Sequence, residues 1–471
     1  MARRNRRKLI KNVRLTGIAD KGKAVGRDEE GMVIFVEDGV PGDLMDVMTL
    51  RKKKGVWQAR PETLIEKSPD RTEPFCKHFT NCGGCKWQHL NYKSQLEHKH
   101  KVTTDAFERI AKVEIGEVLP ILGCEKTRYY RNKMVFSFCS KQWVDQEILD
   151  TGIDIDFKPG LGFYRSGAFD KVVDIKECFL QDSFNDNIRN WLREYAYAHE
   201  LSFHDPRKHE GMMRNLFLRC NRKGDWMVNI YFHILDEKVI HPLMEEMKST
   251  FPEISSLWYT INPKMNDSTH DLEPIHYAGE EFLLESLDHV QFKISPKSFF
   301  QTNTYQAEKL YQTIATFADL KGTENVYDLY TGLGSIALYL ANDCKQIVGI
   351  EEIEEAILDA QTNRELNDIS NASFYAGDVK NILTPAFAER HGKPDLLITD
   401  PPRAGMHEDV VRMLLTLESP KVVYISCNPS TQARDIAILK EKYEVLKIQP
   451  VDMFPHTHHI ENVALLSLRH E

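Results

Sequence analysis

Cys427 follows an apolar run, Val422 to Ile425, after one serine, Ser426, and is followed at once by Asn428-Pro429. Such a run reads as a buried parallel strand, and strands of that kind deliver their successor residues to the crevice at the carboxyl edge of an α/β sheet. The Asn-Pro pair turns the chain, so the sulfur stands at a loop mouth. A thiol there can act as a nucleophile; taken alone, it can equally be a small apolar filler. Its neighbours favour chemistry. Asp328, Glu351, Asp378 and Asp400 close four earlier strand candidates in succession. One acid at a strand end is often a helix cap. Four of them, with a thiol on the fifth strand, make a constellation.

The string Asp328-Leu-Tyr-Thr-Gly332-Leu-Gly334-Ser-Ile-Ala337 ends the first of those strands and opens a helix. It fits the G-x-G-x-x-A dinucleotide fingerprint, and Glu351 ends the next strand where a ribose-hydroxyl acceptor belongs. A nicotinamide dinucleotide and S-adenosylmethionine both fit such a turn; Asp328 inside the strand end leans toward adenosylmethionine. Asp378 stands where an acid can accept from an adenine amino group. Two prolines after Asp400 fix its loop beside the strand of Cys427. With a methyl donor present, the thiol suggests one reaction. C5 of a uracil is a poor nucleophile until a thiolate adds to C6, and a base must afterwards remove the C5 proton. Asp400 is placed to hold the uracil N3–H and O4 edge. Glu461, at the mouth of the last strand, is the candidate base; His456, His458 and His459 compete for that role. Their spacing does not put two imidazoles on one helical face, which disfavours a metal there.

The elements that must position these groups form an α/β sheet. Strand candidates are Asn325 to Tyr330, Gln346 to Glu351, Ser373 to Gly377, Leu396 to Asp400 and Val422 to Ser426, closed by a hairpin of Tyr443 to Pro450 and Asn462 to Leu468. The regular alternation with helices predicts a doubly wound, Rossmann-like C-terminal domain over 291–471. Residues 68–290 read as an α+β central domain, with part of 92–125 available to pack on the C-terminal one. Residues 1–67 carry short apolar segments between Gly-containing turns, the pattern of a small OB-like β-barrel.

The chain has 471 residues, 42% hydrophobic and 28% charged, with a net charge of −9. These values describe an ordinary globular protein. No apolar run approaches the ~20 residues that span a bilayer, and the N-terminus lacks the apolar stretch of an export signal. A cytoplasmic protein without membrane partners is expected, and a monomer. The acidic total hides two basic clusters: Arg3, Arg4, Arg6, Arg7, Lys8, Lys11 and Arg14, and then Arg51 to Lys54. Basic tails are often only solvated; a local patch is also enough for phosphate contact.

Together the motifs Asp-Leu-Tyr-Thr-Gly-Leu-Gly, Asp400-Pro-Pro-Arg-Ala-Gly, Ser-Cys427-Asn-Pro and Asp-Met-Phe-Pro-His-Thr-His-His-Ile-Glu461 resemble the RNA (uracil-C5-)-methyltransferase family. The resemblance extends to Phe299-Phe300-Gln301-Thr302-Asn303 and covers essentially the whole chain. It implies that Gln301, Tyr330, Ser335, Glu351 and Asp378 contact S-adenosyl-L-methionine, with Asp400 between cofactor and uracil. It makes Cys427 the nucleophile and Glu461 the proton-abstracting base. Positions 335 and 378 are the less specific matches.

Cys76, Cys82 and Cys85 lie on one loop, too dense for chance among nine cysteines. Spacing alone leaves zinc, with a fourth Cys or with His78 or His89, level with a [4Fe–4S] cluster. The resemblance implies the cluster, because its ribosomal-RNA branch carries Cys-x5-Cys-Gly-Gly-Cys and a distant fourth ligand that Cys178 matches. Cys124, Cys139, Cys220 and Cys344 read as structural. The N-terminal barrel resembles a TRAM RNA-binding domain. Barrel and cysteines together point to 23S rRNA rather than tRNA as partner, with a paired target base flipped out to reach the thiol. The same chemistry on tRNA, and an iron–sulfur nicotinamide-dependent oxidoreductase, are the alternatives.

Overall fold

The computed structural model describes residues 7–53, 55–144, 157–165, 167–266 and 268–469. Arg3, Arg4 and Arg6 of the basic tail, and Lys54 of the second cluster, lie outside the described residues. The chain divides into two compact units, Met1–Lys99 with Phe454–His458, and His100–Met453 with His459–Glu471.

In the first unit, β1 (Leu9–Ile18), β2 (Ala24–Arg27), β3 (Val33–Val36), β4 (Leu44–Lys53) and β5 (Val56–Glu66) close a barrel in the order β1-β2-β3-β5-β4. Alternation along each strand turns Val13, Leu15, Ile34, Val36, Met45 and Val47 inward, as a two-residue period requires. The turn out of β3 and the segment after β5 are tied by a buried ion pair. Arg71 Nη2 lies 2.5 Å from Asp43 Oδ2, and the Asp43 carboxylate also accepts from the Ser68 and Val40 N–H groups. Burial alone would raise the Asp43 pKa; Arg71 and the two amides hold it below the ordinary carboxylate range. The loop with Cys76, Cys82 and Cys85 comes next. His456 belongs to this unit, where its carbonyl accepts from the Lys86 and Trp87 N–H groups and its own N–H donates to Gln95 Oε1.

The second unit holds two large sheets. One has seven strands in the order β13-β12-β11-β10-β7-β8-β9. These are β7 (Lys133–Cys139), β8 (Gly160–Tyr164), β9 (Val172–Asp174), β10 (Met213–Cys220), β11 (Trp226–Phe232), β12 (Ile254–Ile261) and β13 (Pro274–Gly279). A hairpin of β14 (Leu283–Leu287) and β15 (Val290–Ile294) leads to the other sheet.

That sheet has eight strands: β16 (Asn325–Leu329), β17 (Gln346–Glu351), β18 (Ala372–Ala376), β19 (Leu396–Thr399), β20 (Lys421–Ser426), β21 (Tyr443–Val451), β22 (Glu461–Leu468), and β6 (Ile115–Val118) from much earlier in the chain. The order is β18-β17-β16-β19-β20-β22-β21-β6. Strands β16 to β20 run parallel, β22 is antiparallel to both β20 and β21, and β6 runs parallel to β21. The central strands are apolar on both faces because helices cover both. Topology reverses between β16 and β19, so their carboxyl ends flank the crevice where an open sheet of this kind binds ligands. No helix among the described residues is long and apolar enough to cross a membrane.

Two details differ from the sequence expectation. The helix expected over Tyr92 to Ile110 is α-helical over Tyr92–Ala106 and widens into a π turn over Phe107–Ala111, which buries Phe107 and Ala111 before Lys112 turns left-handed. Strand β6 has too few residues for any periodicity to reveal it.

Candidate active site

The crevice begins where β16 ends. Asp328 is fully buried there, with Oδ2 accepting from the Thr331 hydroxyl at 2.5 Å, the Ala337 N–H near its carboxylate, and no well-formed hydrogen bond to Oδ1. Tyr330, Gly332 and Gly334 then take positive φ angles of 64°, 57° and 81°. That is an uncommon conformation for a tyrosine, and such strain gathers at ligand sites. A Cβ on Gly334 would meet Phe374 Cζ at 2.9 Å and Ala360 Cβ at 3.1 Å, whereas one on Gly332 would meet nothing within 4 Å. The first glycine position therefore borders open space and the second is closed by packing. Glu351 secures the turn from β17, accepting from Gly332 N–H at 3.1 Å and from Ile353 N–H at 3.0 Å.

Ser335 opens the following helix, its hydroxyl 2.7 Å from the buried Tyr311 hydroxyl. Asp378 caps the short helix Val379–Ile382, accepting from Lys380 N–H at 3.0 Å and pairing with the Lys380 ammonium. The Lys380 contacts hold its carboxyl below the ordinary range. The Gln301 carbonyl accepts from Asn132 Nδ2 at 2.8 Å, and Asn303 caps the helix Thr304–Ala318 while donating to Met453 O.

The reactive side lies on β19, β20 and β22. Ser426 pairs with Asn462 at the end of the ladder, and the residues next to this pair, Cys427 and Glu461, are close enough for the carboxyl to act on the thiol. Thr399 pairs with Tyr424 on the other side, which brings Asp400 beside the same strand end. Gln432 locks this corner, donating to Tyr424 O at 2.8 Å and accepting from Asn462 Nδ2 at 2.8 Å. The loop after Asp400 is bound to the loop after Cys427, because Asn428 Nδ2 and the Thr431 hydroxyl both donate to Arg403 O. Asp435 reinforces it by accepting from Met406 N–H and from the Tyr424 hydroxyl. Proline at the first helical position and Asn428 as the cap explain why the helix Pro429–Leu439 starts where it does.

Electrostatics set this corner apart. Burial pushes the Cys427 thiol up to about 11, and the Glu461 and Asp400 carboxyls add to the rise. The Arg403 guanidinium, within hydrogen-bonding reach of the sulfur, pulls the other way. Burial likewise raises Asp400 to about 7; the residue is only half-buried, but its carboxyl is enclosed. Burial raises Asp328 to about 7 as well, against the Thr331 hydroxyl. Glu461 is raised well above the carboxylate range by burial first and Asp400 second, opposed by Arg403. Three acids that share low-dielectric space cannot all ionise cheaply. In the free protein the corner is therefore poor in negative charge and the thiol is protonated.

Of the sequence-derived residues, Tyr330, Ser335, Glu351, Asp378, Asp400, Cys427 and Glu461 stand at the carboxyl ends of β16 to β20 or at the start of β22. Arg403 was legible only as part of the Pro-Pro-Arg loop; its approach to Cys427, and its 3.1 Å contact from Nη2 to His459 Nδ1, come from the fold. Cys124, Cys139, Cys178 and Cys344 are buried. Among the described residues, no group of three or more His, Cys, Asp or Glu side chains forms a metal site.

Comparison with known proteins gives concordant results. A family model described as tRNA (Uracil-5-)-methyltransferase matches residues 277–469. An uncharacterized RNA methyltransferase of Bacteroides thetaiotaomicron is 47% identical over 455 residues, covering 96% of this chain and 100% of that one. Another, of Chlorobaculum tepidum, is 39% identical over 98% of this chain and 97% of its own. Among solved structures, the tRNA (uracil-54, C5)-methyltransferase of Pyrococcus abyssi in complex with S-adenosyl-L-homocysteine superposes with a TM-score of 0.74 at 30% identity, covering 96% of this chain and 99% of that one.

Proposed function

Because the chain belongs to the RNA uracil-C5-methyltransferase family, we propose that it methylates C5 of a uridine in 23S rRNA through a covalent bond to Cys427. Membership makes it an adenosylmethionine-dependent RNA methyltransferase and removes the nicotinamide oxidoreductase reading of the Gly332–Gly334 turn. The turn suits adenosylmethionine: open space at Gly332, an orphaned Asp328 oxygen and the Glu351 carboxylate line one crevice. Tyr330, Ser335, Asp378 and Gln301 would complete the binding set. When bound, adenosylmethionine supplies an electrophilic methyl group.

The observation that carries the mechanism is the juxtaposition of Cys427 and Glu461 across β20 and β22, with Asp400 alongside. The Cys427 thiolate adds to C6 of the uracil, forming an S–C6 bond and moving the C5–C6 π electrons onto C5 and O4. C5 would then take the methyl group, whose bond to the donor sulfur breaks and leaves S-adenosylhomocysteine. Glu461 removes the C5 proton, the C5–C6 double bond re-forms, and the sulfur leaves as thiolate. Glu461 must be ionised for that step; its burial opposes this and the Arg403 charge favours it. Arg403 favours the thiolate by its charge, and Asp400 in its neutral form can donate toward the uracil O4 edge.

The closed N-terminal barrel, read as a TRAM domain, and the cysteine loop support ribosomal RNA. The name of the P. abyssi protein, which aligns over almost the whole chain, favours tRNA as a second reading. Incubating the protein, acting as a monomer, with labelled methyl-adenosylmethionine and unmodified 23S rRNA or tRNA decides between them. 5-Methyluridine in the 23S digest supports the proposal; label only in tRNA replaces it with the second reading.

A [4Fe–4S] cluster on Cys76, Cys82, Cys85 and Cys178 is proposed from donor chemistry alone. Four thiols suit it, Gly84 N–H already donates to Cys82 Sγ at 3.4 Å, and the buried Arg189 cation lies near Cys178. No step of the reaction passes through it. Anaerobic purification with iron and sulfide analysis should give about four of each per chain, falling in Cys82→Ser; absence of iron refutes the assignment.

A further inference from the structure

A nucleotide that enters the crevice brings a charged backbone as well as a base. The segment Lys126 to Lys133 carries Lys126, Arg128, Arg131 and Lys133 with no acid among its eight residues. Lys133 opens β7 and pairs across strands with Arg219 on β10. Directly paired residues share a sheet face, and Arg131, just before the strand, is close enough for its charge to act on Lys133. Arg219 is fully buried and committed, donating to Ser295 O and Ser298 O at 2.9 Å each. Lys133 is different. It is half-buried, and among the described residues its ammonium has neither a hydrogen-bond acceptor nor a carboxylate. Its charged neighbours are Arg219 and Arg131, both repulsive. The backbone of the next residue back is fixed to the Gln301–Thr302 segment, since Asn132 N–H donates to Thr302 O and Asn132 Nδ2 to Gln301 O, each at 2.8 Å.

The Asp359 carboxylate balances Arg219, but Lys133 has no counter-ion of its own; a buried cation so placed costs stability, and such an arrangement persists when an anion completes it. We propose that Lys133, with Arg131, is the seat of a backbone phosphate of the substrate RNA, beside the Gln301 segment. The inference rests on the RNA reading under Proposed function. Lys133 is thus a positioning residue, holding the strand while the base enters the crevice. Burial with Arg219 and Arg131 brings its ammonium down to about 7 in the free protein; a phosphate would restore the charge.

The test uses Lys133→Met, which keeps the length of the side chain and removes the charge, and Lys133→Arg, which keeps the charge. Binding of an unmodified 23S rRNA transcript is measured against salt concentration, together with thermal melting and S-adenosylhomocysteine binding. Lys133→Met should bind RNA at least tenfold more weakly and reduce the slope of log affinity against log salt by about 1. Its melting temperature should be unchanged or higher, its adenosylhomocysteine affinity unchanged, and Lys133→Arg should recover most of the binding. Wild-type affinity and slope in Lys133→Met overturn the inference. So does weakened binding that tracks a lowered melting temperature, which assigns Lys133 to the fold. If the wild-type protein binds neither this transcript nor tRNA, the RNA reading itself fails, a separate outcome.

Discussion

The protonated thiol of Cys427 makes a quantitative prediction about the free protein. With the sulfur pushed up to about 11, only about 0.1% is thiolate at pH 8, against roughly 24% of an unperturbed cysteine. That is a deficit of roughly 240-fold. A more basic thiolate is intrinsically more nucleophilic, by about 13-fold for a rise of ~2.5 units at a Brønsted slope of ~0.45. The net expectation is alkylation about 20-fold slower than a free cysteine at pH 8. The rate should climb about tenfold per pH unit from 7 to 9 without a plateau. Iodoacetamide labelling, followed by mass spectrometry of the peptide containing residue 427, measures this directly. The slope matters more than the absolute rate, because limited access to a half-exposed sulfur scales every point equally. A plateau below pH 8 would show a thiolate already formed at rest. It would refute the argument that burial with Glu461 and Asp400 outweighs Arg403.

Gly334→Ala should reduce S-adenosylhomocysteine affinity at least tenfold by calorimetry, because the residue has φ 81° and its Cβ would meet Phe374 at 2.9 Å. Asp400→Asn should raise the melting temperature at pH 8 and change it little at pH 4. The folded-state pKa of Asp400 lies above the unfolded one, so its native environment favours the protonated form; the penalty for ionising it grows from about pH 4 to the folded value of about 7. Equal gains at both pH values would contradict this. Arg71→Ala strands the Asp43 carboxylate, which is wholly buried, and should cost about 3–5 kcal/mol. Chemical denaturation followed by Trp87 fluorescence, in the same unit, reads that loss, and a change under about 1 kcal/mol would place the pair among those of little net worth.

Much of this was legible because the sheet writes itself into the chain. Gln346–Glu351 is apolar enough, and bounded clearly enough, that its limits could be read directly. Acids and glycines at strand ends then located the crevice, since a parallel strand delivers its successor residue to one known edge. The unread parts depend on contacts distant in sequence. Nothing in Ile115–Val118 announces that it extends a sheet by pairing with β21. The approach of Arg403 to Cys427 results from Asn428 and Thr431 holding its carbonyl, and no spacing encodes that. Asp378 illustrates the opposite limit: the helix-cap role that any strand-end acid invites is present, with Lys380 N–H as donor. The lack of compensation around Lys133 is likewise invisible until β7 and β10 are paired.

The covalent mechanism is tested most directly with Glu461→Gln. That variant, incubated with adenosylmethionine and unmodified 23S rRNA and then digested with nuclease and protease, is analysed by mass spectrometry. The account predicts a methylated uridine attached to the Cys427 peptide, because the C5 proton stays in place and the sulfur cannot leave. Normal yields of free 5-methyluridine with an unmodified Cys427 peptide would contradict it.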